Sequence, residues 1–185
     1  MRVDSGLMQR IYKTHLTPEE YHQQNAHEQV IADSQCPHCS HVGLHAHGTY
    51  ERWISWLSRC LQIAIARFLC PACGHTVSYL PEFAFSYRTV NISTFEKFLE
   101  GHFEIPEVVS WLGVLKSYQR QAHSFARTLR QTVGSGLGIR PSETLSLWEW
   151  LKKACGSLHT ATRQLVNKFH ITLFNSYQCH QPVRG

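Results

Sequence analysis

Aspartate is almost missing from this 185-residue chain: Asp4 and Asp33 are the only two, both near its beginning. A two-metal nuclease or strand-transfer centre needs clustered carboxylates, so the sequence predicts no acidic catalytic triad on the later segments. No stretch of about eighteen apolar residues occurs, which predicts no membrane span. No basic segment leads into an apolar run at the N-terminus, which predicts no signal peptide. Phosphate-loop, dinucleotide and nucleophile-elbow motifs are absent as well. Low-complexity segments are lacking, and no repeat is found beyond one pair of cysteine motifs. These absences predict a non-enzymatic cytoplasmic protein with no membrane partner.

What the chain does have is Cys36-Pro37-His38-Cys39 and Cys70-Pro71-Ala72-Cys73. Each pair puts two thiols on one tight turn. Two such turns can close a tetrahedral four-thiolate site, the geometry that structural zinc prefers. In a reduced compartment, paired cysteines bind metal more often than they form disulfides. The rival is a redox Cys-x-x-C, in which one thiol pKa is lowered. Two copies, each at the end of a strand pattern, favour one structural Zn²⁺ held by Cys36, Cys39, Cys70 and Cys73. Cys60, Cys155 and Cys179 remain scattered. His38, His41 and His75 lie beside the knuckles as neighbours of the ligands rather than replacements for them.

The predicted fold is α+β: a small β zinc ribbon, then a helical helix-turn-helix region and C-terminal helices. Residues 1–34 read as an N-terminal arm or helix. Thr17 would cap it, with Pro18 at the first position, Glu20 closing a capping box, and an end near Asp33. Residues 35–88 read as the ribbon, with strands at Gly48–Trp53, Leu61–Leu69 and Thr76–Leu80. Gly74 is expected in a left-handed turn behind the second knuckle. Residues 89–133 read as the helix-turn-helix, preceded by a helix capped by Ser93 with Glu96 completing its box. Residues 142–185 read as a C-terminal segment, with one helix starting at Ser142-Glu143 and another over about 160–169.

Pro106 begins a helix expected to stop at Gly113, and a second is expected from about Lys116 to Thr132. The N-terminal end of the second helix would then enter a major groove of double-stranded DNA. Lys116, Ser117, Gln119, Arg120 and His123 are the side chains suited to base edges there, with Arg127 and Arg130 on phosphates. Charge agrees: no acid occurs between Val108 and Ser142, while Lys116, Arg120, Arg127, Arg130 and Arg140 do. The competing reading is a solvated basic helix in an ordinary bundle.

His45-Ala46-His47 with nearby Tyr50 resembles the metal pair and tyrosine of one class of single-strand nucleases. It falls inside the ribbon's first hairpin, where that fold has no room, so two surface histidines are expected. The five tryptophans read as packing residues. Trp148 and Trp150 fall on different faces of one helix, which would leave one of them exposed.

One known group shares this order of motifs. The Cys-Pro-x-Cys pair is followed by Gly48-Thr49-Tyr50-Glu51-Arg52, then Arg67-Phe68-Leu69-Cys70-Pro71-Ala72-Cys73-Gly74-His75-Thr76. Leu80-Pro81-Glu82-Phe83 and Ser86-Tyr87-Arg88 come next. Over about residues 35–130 the chain resembles small transposon-associated bacterial proteins with a transposase-type zinc ribbon ahead of a helix-turn-helix. Leu115 departs from the pattern, because related turns place a polar helix cap there. The resemblance implies a DNA-binding accessory or regulator of a mobile element, with a separate transposase as a second partner. A protein-interaction adaptor and an inactive transposase remnant are the alternative readings.

Overall fold

The computed structural model describes residues 8–142 and 144–175; Asp4, Glu143 and Cys179 lie outside them. The described residues form a four-stranded sheet and five α-helices. The strands are β1 (Met8–Tyr12), β2 (His45–Trp56), β3 (Arg59–Leu69) and β4 (Thr76–Pro81), in the order β1-β4-β3-β2. β2, β3 and β4 are antiparallel neighbours, while β1 runs parallel to β4. The strands expected over 48–53, 61–69 and 76–80 are therefore present, each somewhat longer, in a mixed sheet. The first strand sits where an arm or helix was expected. Its five residues are too short a run to show a period, and its outer edge is completed from far along the chain. The Asn167 side chain accepts from Ile11 N at 2.8 Å and donates to Ile11 O at 2.7 Å. A side-chain amide thus supplies the hydrogen bonds a fifth strand would give to this edge.

Helix α1 (Pro18–Gln23) begins with the Thr17–Glu20 capping box that its sequence specifies. It ends well short of Asp33, because Asn25 turns left-handed (φ 48°) into a short 3-10 turn, Ala26–Gln29. Helix α2 (Ile92–Leu99) is capped by Asn91, not Ser93. The reason is tertiary. Buried Asn91 also bonds the Ser55 backbone and hydroxyl, fixing the cap to β2. Ser93 turns to His159 instead, and Glu96 accepts from Leu158 N at 2.8 Å.

The largest correction concerns the helix-turn-helix. Pro106–Val133 is one continuous helix of 28 residues, α3, and no turn interrupts it at Gly113. Glycine inside a helix costs only about 1 kcal/mol relative to alanine. Against that stands an unbroken buried stripe: Val108, Leu115, Tyr118, Ala122, Ala126, Leu129 and Val133. Leu115 is fully buried and carries the stripe across the glycine, which is why no polar cap stands there. Helix α4 (Leu147–Cys155) starts at a Ser146–Glu149 capping box, four residues later than expected, and α5 (Leu158–Phe169) is capped by Ser157. Trp150 is fully buried and Trp148 half-buried, so neither projects freely.

The core divides in two. Helices α2–α5 enclose an aromatic cluster with Phe95 at its centre, its ring 5.7 Å from Phe85 and 5.9 Å from Tyr118. Smaller clusters cover the sheet, around Ile54, Ile63, Ile65 and Leu80 on one side and Val77 and Tyr79 on the other. Among the described residues no helix is long and apolar enough to cross a membrane.

Candidate metal centre and cationic surfaces

The four motif cysteines converge at one end of the sheet, all four sulfurs lying within 4.8 Å of one another. Cys36 Sγ is 3.8 Å from Cys73 Sγ, and Cys39 Sγ is 3.6 Å from Cys70 Sγ. Disulfide sulfurs would stand about 2.0 Å apart. Sulfurs bound at about 2.3 Å around a tetrahedral ion stand about 3.8 Å apart. The arrangement is that of a four-thiolate metal site.

Both knuckles fold alike. In the first, Cys36 N donates to His41 O (2.8 Å) and Ser40 N to Cys36 O (2.8 Å). In the second, Cys70 N donates to His75 O (2.9 Å) and Gly74 N to Cys70 O (2.9 Å). The fifth position of each turn is left-handed, with φ 60° at Ser40 and 71° at Gly74. Gly74 adopts this backbone without strain, while Ser40 carries a Cβ into it. Burial pushes the Cys73 thiol up to about 12. Burial also opposes ionisation of Cys70, but N–H groups of Cys73 and Ala72 and the neighbouring thiols outweigh it and draw that thiol down to about 7. The ring planes of His38 and His75 stack beside the sulfurs, with centroids 4.0 Å apart. With Cys73 these rings form a second group of potential ligands. His45 and His47 belong to neither group and are exposed at the start of β2.

The residues expected on DNA all lie on the one helix α3. Lys116, Arg120, His123 and Arg127 follow i, i+4, i+7, i+11 spacing, share one stripe and are exposed. Gln119 is exposed beside them, and Ser117 is half-buried, accepting from Gln121 Nε2 at 3.2 Å. Arg130 is partly committed: its Nη2 donates to Leu145 O at 2.7 Å, tying α3 to the loop before α4. Arg127 and Arg130 share an open groove of about 720 Å³ with Arg140. Because α3 is continuous, these side chains lie along its middle and C-terminal half rather than at an N-terminal tip.

A second cationic feature escaped the sequence reading. Arg52, Arg67 and Arg88 line a cavity on the sheet, together with Tyr50 and Trp53. The signal for it was faint: arginine recurring at positions where strand alternation calls for an inward-facing side chain. Burial pushes the Tyr50 phenol up, while Arg52, Ser78 and Arg67 pull it back.

A model of a domain of unknown function, DUF6431, matches residues 36–110. The match starts at the first metal-site cysteine and ends in the first turn of α3, so it contains both knuckles, β2–β4 and α2. It leaves out the basic stripe of α3. No curated protein and no solved structure matches the chain.

Proposed function

We propose that this chain is a zinc-stapled, non-enzymatic protein that binds double-stranded DNA along the exposed face of α3. The observation that carries the reading is a basic stripe whose side chains make no ion pair among the described residues. Lys116, Arg120, His123 and Arg127 are all exposed on one face, in a segment with no acid from Val108 to Ser142. Eleven residues of helix rise about 16 Å, enough to follow a major groove that is about 12 Å wide. The helix meets DNA lengthwise, since it has no free recognition tip. Its first turns are occupied elsewhere: Trp111 Nε1 donates to Leu57 O at 3.2 Å, and Ser110 bonds Ser58 in the β2–β3 turn. Arg127, Arg130 and Arg140 supply phosphate contacts at the far end.

The ion is zinc because four soft thiolates in a tetrahedron suit it best. It staples the ends of β3 and β4 and performs no chemistry, since four thiolates leave no position for water. Asp33 is engaged as well, paired with Arg10 at 3.2 Å. The resemblance to transposon-associated proteins adds a cellular setting, an accessory or regulator working beside a separate transposase.

The test is a salt series of duplex-DNA affinities, read by fluorescence anisotropy. Log affinity should fall linearly with log salt as counterions are released. The Lys116→Ala/Arg120→Ala double variant should bind at least tenfold more weakly, with a slope shallower by about two. Unchanged affinity and slope in that variant rule out this helix.

A further inference from the structure

The helical half holds a cavity whose chemistry is the opposite of the arginine-lined one. It lies between α2, α3 and α4, has a volume of about 170 Å³, and carries no lysine, arginine or carboxylate on its walls. At its inner end stand Phe95, Leu151, Leu158 and Leu173, all buried. These side chains offer nothing that could hold a water by hydrogen bonds, so the inner end is dry. An apolar cavity of about 150 Å³ accepts one benzene-sized ring. Space and surface therefore both suit a single six-membered ring, and the missing charges suit a neutral one.

The mouth is polar. Gln119 and His123 of α3, and Ser146 ahead of α4, are the exposed residues of the lining. Ser146 is engaged already, because its side chain accepts from Glu149 N at 3.2 Å and caps α4. The side chains of Gln119 and His123 have no hydrogen-bond partner among the described residues. They stand four positions apart, which makes them neighbours on the helix surface. A glutamine amide and a neutral imidazole each offer a donor and an acceptor, so one hydroxyl can give to one and accept from the other. Half-buried Trp148 adds an aromatic wall, and aromatic rings pair favourably with one another in offset or edge-to-face contact.

We infer that this cavity binds a neutral single-ring aromatic alcohol of the phenol class, its ring among the apolar side chains and its hydroxyl on Gln119 and His123. Those two residues also belong to the face of α3 assigned to DNA. Regulation follows, and it alone rests on the DNA reading: a ligand that engages both side chains withdraws them from the duplex. Occupancy then lowers duplex affinity, and the duplex lowers ligand affinity by the same factor.

Calorimetry on the full zinc-loaded chain tests the site with phenol, benzene and 1-naphthol, in the absence of DNA. Phenol should bind one per chain, at least threefold more tightly than benzene, and the two fused rings of 1-naphthol should not enter. Gln119→Ala/His123→Ala changes exposed residues only and should erase the advantage of phenol over benzene. Ala122 lines the cavity and is buried. Ala122→Leu should fill the space and abolish binding of both rings; circular dichroism and zinc content verify that the variant is folded, and the Gln119/His123 pair carries the test if it is not. In anisotropy, saturating phenol should weaken duplex binding by the native chain at least threefold and leave Ala122→Leu unaffected. No saturable phenol binding, phenol binding that survives Ala122→Leu in folded protein, or equal binding of 1-naphthol overturns the site. Equal binding of phenol and benzene to the native chain overturns the role of Gln119 and His123. Duplex affinity that phenol leaves unchanged overturns the regulation. A chain that binds no duplex at all defeats the reading of α3, while the calorimetry still decides the site.

Discussion

In the helical half, a single cluster gathers Phe85, Phe95, Phe98, Tyr118, Trp150 and Phe174, with edge-to-face ring pairs among them. In the sheet half the buried clusters are small and mostly aliphatic. A sheet edge with so little apolar area to bury needs another source of stability, and the four cysteines stand at the end where the clusters run out. Charge is handled differently as well. On α3 the cations stand in water at helical spacing. On the sheet, arginines are drawn inward and their guanidinium groups are partly desolvated. A solvated stripe suits an extended polyanion whose contacts are long-range and screened by salt.

If the ion carries the sheet end and the aromatic core carries the bundle, removing the ion gives the largest and most local effect. Structural zinc supplies about 10–16 kcal/mol of apparent binding free energy in small domains. Cys70→Ser, or a strong chelator, should remove the bound metal. Hydrogen-exchange protection should vanish around both knuckles and persist in α2–α5. A metal-free chain with protected knuckle amides would show that the ion is not the staple.

The converse perturbation is Trp150→Ala in the bundle. Trp150 is fully buried, and removing such a ring costs about 3–5 kcal/mol. Urea unfolding should show that loss while metal content stays the same in native buffer. Metal release alongside it would mean that the halves unfold as one unit. Contacts such as Asn167 on β1 and the 2.9 Å Arg163–Glu82 ion pair would then be the coupling.

The smallest effect tests the continuity of α3. A Cβ built on Gly113 meets nothing within 4 Å. Gly113→Ala should therefore stabilise the protein by about 1 kcal/mol in denaturant titrations. A loss of stability would instead indicate a turn at this position.

Sequence alone determined the parts whose physics is local. The cysteine spacing set both knuckles, the Thr17–Glu20 box set the start of α1, and alternation along Leu61–Leu69 set β3. Each rests on residues within a few positions of one another. Tertiary structure decided the rest. Gly113 looked like a turn because its helical cost is visible in the sequence, whereas the burial of Leu115 that offsets it is not. Ser93 looked like a cap because the competing bond from Asn91 to Ser55 comes from a distant strand. β1 is short and has no periodicity of its own. It becomes a strand because β4 offers it an edge and Asn167 closes the other side. The arginine cavity is the clearest case. Gln9 and Arg67 are far apart in the chain and unremarked in composition, and only strand register brings them to one face, while Arg88 reaches the cavity from the loop between β4 and α2.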